Sequence, residues 1–145
     1  MSKLKSGIFI SFFVVALTAH AADGATSKAE LQKLYQQFFQ NKDETRLGKL
    51  VYWQGVEQQD REGFFRSLGQ DFKYRLRDIH FVPLQHDEHL EYTLRGVTYV
   101  PALPPVGRMI VTYGDQDNVN DLSTSYLIGA KDGRYYIDLA VKKTH

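Results

Sequence analysis

Apolar residues follow two different periods along this chain, one in each half. Leu31, Leu34, Tyr35, Phe38 and Phe39 recur at i, i+3, i+4, i+7 and i+8, which puts all five on one face of an α-helix. Ser27-Lys28-Ala29-Glu30 matches the capping box that satisfies orphan amides at a helix start, so the helix is predicted to begin there. Asp43 predicts the cap of a second, short helix in which Leu47, Leu50 and Val51 share a face, ended by Tyr52-Trp53-Gln54-Gly55. Asp60 predicts the cap of a third, with Phe64, Phe65, Leu68 and Phe72 on its buried side. Gly63 and Gly69 weaken that third helix.

From Tyr74 onward the period changes from 3.6 to 2, and β-branched and aromatic residues fill the segments between turn residues. Strands are predicted at 75–84, 89–94, 97–100, 108–113, 123–129 and 134–141. Ala130-Lys131-Asp132-Gly133 predicts a tight hairpin between the last two, Asp-Gly being a favoured turn pair. Pro101-Ala102-Leu103-Pro104-Pro105 cannot sit in a central ladder and reads as a loop or an edge, and residues 114–122, rich in Asp and Asn, read as a second loop. Helices first and strands after, in one domain, predict an α+β fold with N-terminal helices packed on one face of a strongly curved antiparallel sheet. The open end of such a cone leaves a pocket.

The first 21 residues stand apart. Lys3 and Lys5 precede an 11-residue apolar run, residues 7–17, and Ala19-His20-Ala21 follows as a small-residue cleavage site. Basic start, short apolar run and A-x-A site are the three parts of a secretory signal peptide, and the run is too short for the roughly 20 residues of a spanning helix. The expectation is a signal peptide over 1–21, cleaved near Ala21, a single domain over 22–145, and a periplasmic or secreted location. No cysteine is available to carry a lipid, so no membrane anchor is expected after cleavage.

Charge and composition narrow the function classes. The chain carries 18 basic and 17 acidic residues; loss of Lys3 and Lys5 turns this into a slight acidic excess, so no nucleic-acid partner is expected. Zero cysteines removes thiol nucleophiles, zinc–cysteine sites and redox chemistry, and leaves an exported domain to fold on its core alone. No G-x-S-x-G elbow, P-loop or H-E-x-x-H string occurs, and no cofactor is implied.

The order of a long aromatic-rich helix, two short helices with a Trp-x-Gly step between them and a bent meander resembles the nuclear transport factor 2-like superfamily. These are cone-shaped α+β proteins that include steroid-isomerase-like and polyketide-cyclase-like members. The likeness runs from Ser27 to Val141. Leu50-Val51-Tyr52-Trp53-Gln54-Gly55-Val56, the string from Leu90 to Tyr99, and Lys131-Asp132-Gly133-Arg134-Tyr135-Tyr136 look like strings of exported bacterial proteins placed in that superfamily, a group with no assigned activity. The superfamily hosts isomerases, dehydratases, cyclases and binding or assembly proteins, so the resemblance does not select an activity and carries over no catalytic residue.

Candidate chemistry concentrates in four places. In the strand over 75–84, Asp78 and His80 point inward if Leu76, Val82 and Leu84 face the core, and form an acid/base pair suited to proton transfer. If Ile79 and Phe81 face inward, the register we prefer, both are solvated. Aromatic residues make up 13% of the chain, and Tyr35, Trp53, Tyr92 and Tyr126, with His80, are candidates to line a pocket for a small apolar or aromatic ligand, although sheet-rich domains use most such residues in their cores. His86-Asp87-Glu88-His89 offers metal-ligand types without a defined spacing and is read as a solvated turn, as is the Asp/Asn loop, whose Val119 and missing glycine break the calcium-loop pattern. Asp138 interrupts an apolar last strand and faces a pocket mouth, a dimer surface or water. Three readings follow: a non-catalytic exported binding or accessory module, an isomerase or lyase using Asp78 and His80, and a homodimeric assembly protein pairing through Tyr136, Tyr126 or Ile128.

Overall fold

The Ser27 hydroxyl accepts the amide of Glu30 at 3.0 Å, and the first helix, α1 (Lys28–Gln40), starts there as the capping pattern requires. The Glu30 carboxylate reaches back to the Thr26 amide rather than to that of Ser27 itself. The computed structural model describes residues 23–115 and 121–144; residues 1–22, where the signal peptide is expected, residues 116–120 of the Asp/Asn loop and residue 145 lie outside the described residues. After α1 come α2 (Glu44–Gly48), β1 (Val51–Tyr52), α3 (Gln58–Asp71), β2 (Arg75–Val82), β3 (Tyr92–Leu94), β4 (Val97–Pro101), β5 (Pro105–Gly114), β6 (Asp121–Lys131), β7 (Arg134–Asp138) and β8 (Ala140–Lys142). The fold is α+β. None of the described helices is long and apolar enough to cross a membrane.

The strands form two sheets where the alternation predicted one. Five are ordered β1-β7-β6-β5-β2 and three are ordered β3-β4-β8. All pair antiparallel except β1, which runs parallel to β7 with Val51 opposite Ile137. The expected second helix is therefore too long at its C-terminal end. It stops at Gly48, Leu50 turns back onto Leu47, and the Leu50 carbonyl accepts the amide of Ile137, so Leu50 reaches the core from a turn and Val51 from a short strand. The expected strand over 134–141 breaks at Leu139, where the chain passes from the large sheet to the small one.

The third helix begins at Gln58 with Glu57 at its N-cap and no side-chain cap, and Asp60 lies in its first turn. An acidic residue there favours the positive helix end without capping it. Gly63 and Gly69 do not interrupt the helix; packing of Phe64, Phe65 and Leu68 overrides their propensity. The hairpins of β6–β7 and β3–β4 close through Asp132-Gly133 and Arg95-Gly96, all four with positive φ, the conformation of two-residue I′ turns. Pro101 and Pro105 stand at strand ends with residues 102–104 as the loop between them.

One face of the large sheet, carrying Met109, Val111, Tyr113, Ile128 and Ile137, packs with Leu31, Tyr35 and Phe39 of α1 and Leu68 of α3 to form the core. Phe39 stands at its centre, with ring centroids 5.1 Å from Tyr113 and 5.2 Å from Phe72. Ile128 is fully buried and Tyr126 packs against this core, so neither is placed to pair two copies through the outer face of the sheet; Tyr136 packs edge-on against Tyr52.

Candidate functional site

One side of α3 is not committed to the core. Asp60, Gly63, Phe64, Ser67, Gln70 and Asp71 recur at helical spacing along it and form one wall of an open cleft of about 550 Å³. Thr124 and Tyr126 of β6, Tyr92 of β3, and Leu139 with Ala140 at the switch between sheets complete it. The cleft exists because β7 pairs with β6 only over residues 128–131 of the latter. Beyond that point the chain departs into the small sheet, leaving β6 and β3 on opposite sides of a gap. Lys142 pairs with Glu57 at 2.7 Å, tying β8 to the start of α3.

A second cavity of about 320 Å³ shares Tyr92, Tyr126, Leu139 and Ala140 with the first and extends toward Arg108, Ser125 and Asp138. The two adjoin as parts of one cleft. Tyr92 is 51% exposed, a large apolar surface left open along this gap.

Three tyrosine hydroxyls lie behind the cleft. That of Tyr35 is 2.9 Å from Tyr113 and 3.3 Å from Tyr126. Burial pushes all three phenols up, so they stay protonated and serve each other as donors and acceptors. Tyr126 alone of the three reaches the cleft wall. Asp71, half-buried at the far end of the α3 stripe, has its carboxyl raised by burial.

Asp138 is the one buried charged residue among those described, 4% exposed. Its Oδ1 accepts the amide of Leu103 at 3.0 Å, while Oδ2 has no partner. Residue 129 has to be glycine for this to fit, since a Cβ there would lie 2.7 Å from Oδ2 and 2.6 Å from the Cβ of Leu103. Burial pushes the Asp138 carboxyl up to about 6, against the opposing pull of the Leu103 and Ala102 amides. It lies beneath the 102–104 loop in the wall of the second cavity, enclosed rather than in open water.

The residues nominated from sequence separate accordingly. Tyr92 and Tyr126 meet in the cleft. Tyr35 is sealed in the core with no exposed surface and cannot touch a ligand; its place in the α1 stripe explains why. Trp53 braces α2 against α3, donating to the Gly48 carbonyl at 2.8 Å and stacking on Phe65 at 5.4 Å. It borders a different surface groove, with Arg61 and Lys49. His80 and Asp78 do pair, Nδ1 to Oδ2 at 2.8 Å, but their side chains are 51% and 61% exposed. A register shift between Leu76 and Asp78 lets Leu76 and Ile79 both face inward and turns the pair to solvent. The inward version of this acid/base site does not form.

Glu88 of the His86–His89 run is held by Arg108, whose Nε donates at 2.6 Å, and no group of three metal-capable side chains converges among the described residues. The α3 wall escapes a reading of the sequence that assigns Phe64 to the core and its polar neighbours to solvent. A signal for it exists: Asp60, Phe64, Ser67 and Asp71 are spaced i, i+4, i+7 and i+11, a mixed stripe no purely buried or purely solvated face would show. Comparison with protein-family models, curated proteins and solved structures returns no match.

Proposed function

We propose that this protein is an exported, non-catalytic binding or accessory module that takes a small apolar or ring-bearing molecule into the cleft between α3, β6 and β3. The observation that carries the reading is the pair of adjoining cavities sharing Tyr92, Tyr126, Leu139 and Ala140. Ligand sites are concave, mostly apolar and furnished with a few polar groups, and here Phe64, Tyr92, Tyr126 and Leu139 supply the apolar walls while Ser67 and Gln70 supply hydrogen bonds. Export rests on the N-terminal pattern of charge, apolar run and A-x-A site.

A divergent cone of the nuclear transport factor 2-like type accords with the helices-first order and with the bulges in β2 and β5, which bend their strands. The proton-transfer reading has lost its pocket, since Asp78 and His80 lie in solvent. Native mass spectrometry of protein purified from its source, with thermal shift in the presence of indole, tests the proposal. A co-purifying small molecule, or indole stabilisation abolished by Tyr92→Ala, is expected. Absence of both overturns it.

A further inference from the structure

Among the described residues the chain passes between its two sheets at three places: residues 83–91 join β2 to β3, residues 102–104 join β4 to β5, and Leu139 joins β7 to β8. The last two crossings lie side by side. Pro101 pairs with Ala140 at the end of the small sheet, and Pro105 pairs with Gly129 in the large one. Between these pairs the amide of Ala102 donates to the Leu139 carbonyl at 3.1 Å, joining one crossing directly to the other.

Asp138 stands at their junction. Its Oδ1 accepts the Leu103 amide, its Oδ2 is unpartnered, and Leu103 closes over it, itself buried. Asp138 is also in the wall of the second cavity, next to Leu139 and Ala140, which line both parts of the cleft. The hinge between the sheets and the cleft therefore share one buried carboxyl. Burying that group neutral with one oxygen unpartnered costs far less than burying it ionised, and the ionised form gains water only if the 102–104 strap above it opens.

The charged groups of the neighbouring elements are engaged elsewhere. Arg108 of β5 is held by Glu88 at 2.6 Å, Lys142 of β8 by Glu57, and Tyr52, opposite Asp138 on β1, gives its hydroxyl to Gln54. The 102–104 strap carries no titratable side chain. Burial is the largest influence on the Asp138 carboxyl, opposed by the Leu103 and Ala102 amides. In the same cavity wall, burial keeps the phenols of Tyr92 and Tyr126 protonated. His89 is the remaining titratable group in that wall, and histidine is a side-chain type that changes charge near neutral pH, so it serves as the control.

Building on the cleft as the binding site, we propose that Asp138 is a pH-responsive latch on it: protonated, it keeps the two crossings together and the cleft holds its ligand; ionised, it lets the 102–104 strap lift and the ligand leave.

Indole, which stays neutral throughout, tests this by isothermal titration at pH 5 and 7.5, on either side of the value of about 6 to which burial raises the carboxyl. Hydrogen exchange of the Ala102 and Leu103 amides, corrected for intrinsic rates, reports the strap without ligand. The expected result is an affinity at least fivefold weaker at pH 7.5, with a parallel fall in protection of both amides. Asp138→Asn is expected to abolish both effects and His89→Gln to keep both. Affinity and protection that are equal at the two pH values in the wild type overturn the latch and leave the cleft standing; this arm needs no variant to fold. A fall in protection without a fall in affinity separates the strap from the site and overturns the latch as well. So does a pH effect that survives in Asp138→Asn or disappears in His89→Gln. No indole binding at either pH overturns the cleft as a binding site and the latch with it.

Discussion

Replacing Asp138 by asparagine removes the buried charge and little else. The carboxyl rises from an ordinary 3.8 to about 6 because the side chain is almost wholly enclosed and only Oδ1 is engaged. The folded state therefore holds the proton more tightly than the unfolded one. Its contribution to stability is fully present below pH 3.8, declines as pH rises through about 6, and is gone above it. At 1.36 kcal/mol for each tenfold step, that rise amounts to about 3 kcal/mol of stability lost between pH 3.5 and 7.5. The Asp138→Asn side chain keeps an oxygen for the Leu103 amide but cannot ionise. Its amide nitrogen inherits the unpartnered position of Oδ2, a penalty of about 1–3 kcal/mol that is the same at every pH. The diagnostic quantity is thus the difference between variant and wild type as pH changes. Urea denaturation at pH 3.5 and 7.5 is expected to show Asp138→Asn gaining about 3 kcal/mol relative to wild type across that interval. A constant difference would refute the argument that a buried, half-satisfied carboxylate sits under the 102–104 loop.

Other substitutions probe the remaining contacts. Gly129→Ala drives a Cβ against Asp138 and Leu103 and is expected to cost about 1–3 kcal/mol by urea denaturation, less in an Asp138→Ala background if that carboxylate is the obstacle. Tyr35→Phe removes the hydroxyl shared by Tyr113 and Tyr126 and leaves a buried phenol short of a partner, for an expected loss of about 1–2 kcal/mol by urea denaturation with no change in cleft binding. Trp53→Ala breaks the bond to Gly48, the edge-on contact with Phe64 and the stacking on Phe65, and should lower stability by about 2–4 kcal/mol in thermal or urea unfolding without abolishing ligand-induced shifts at Tyr92. His80→Ala, at an exposed pair, should change stability by less than about 1 kcal/mol and leave binding intact; a larger loss in either assay would show that the pair does more than its exposure implies.

The elements that repeat a strong local pattern are legible in the sequence: α1 from its five-residue apolar stripe and Ser27 cap, the β6–β7 hairpin from Asp132-Gly133. Local signals fail where tertiary contacts override them. Leu50 and Val51 fit a helical face with Leu47, yet Val51 completes the large sheet by pairing parallel with Ile137, a long-range bond no local window contains. The bulge at Leu76/Asp78 decides which register of β2 is real, and a strand's alternation cannot announce an inserted residue. The division into two sheets at Leu139 is equally hidden, although it opens the cleft. Tyr92 and Tyr126 can be nominated by chemical type. Their convergence depends on that division.

The central claim is that the gap between α3, β6 and β3 binds a ligand. A heteronuclear NMR titration of the wild-type domain with indole addresses it residue by residue. The account predicts saturable shifts at Phe64, Ser67, Tyr92, Tyr126 and Leu139, with the Trp53 and Lys49 groove unaffected. No saturable shift in the cleft, or shifts centred on the Trp53 groove, would contradict it.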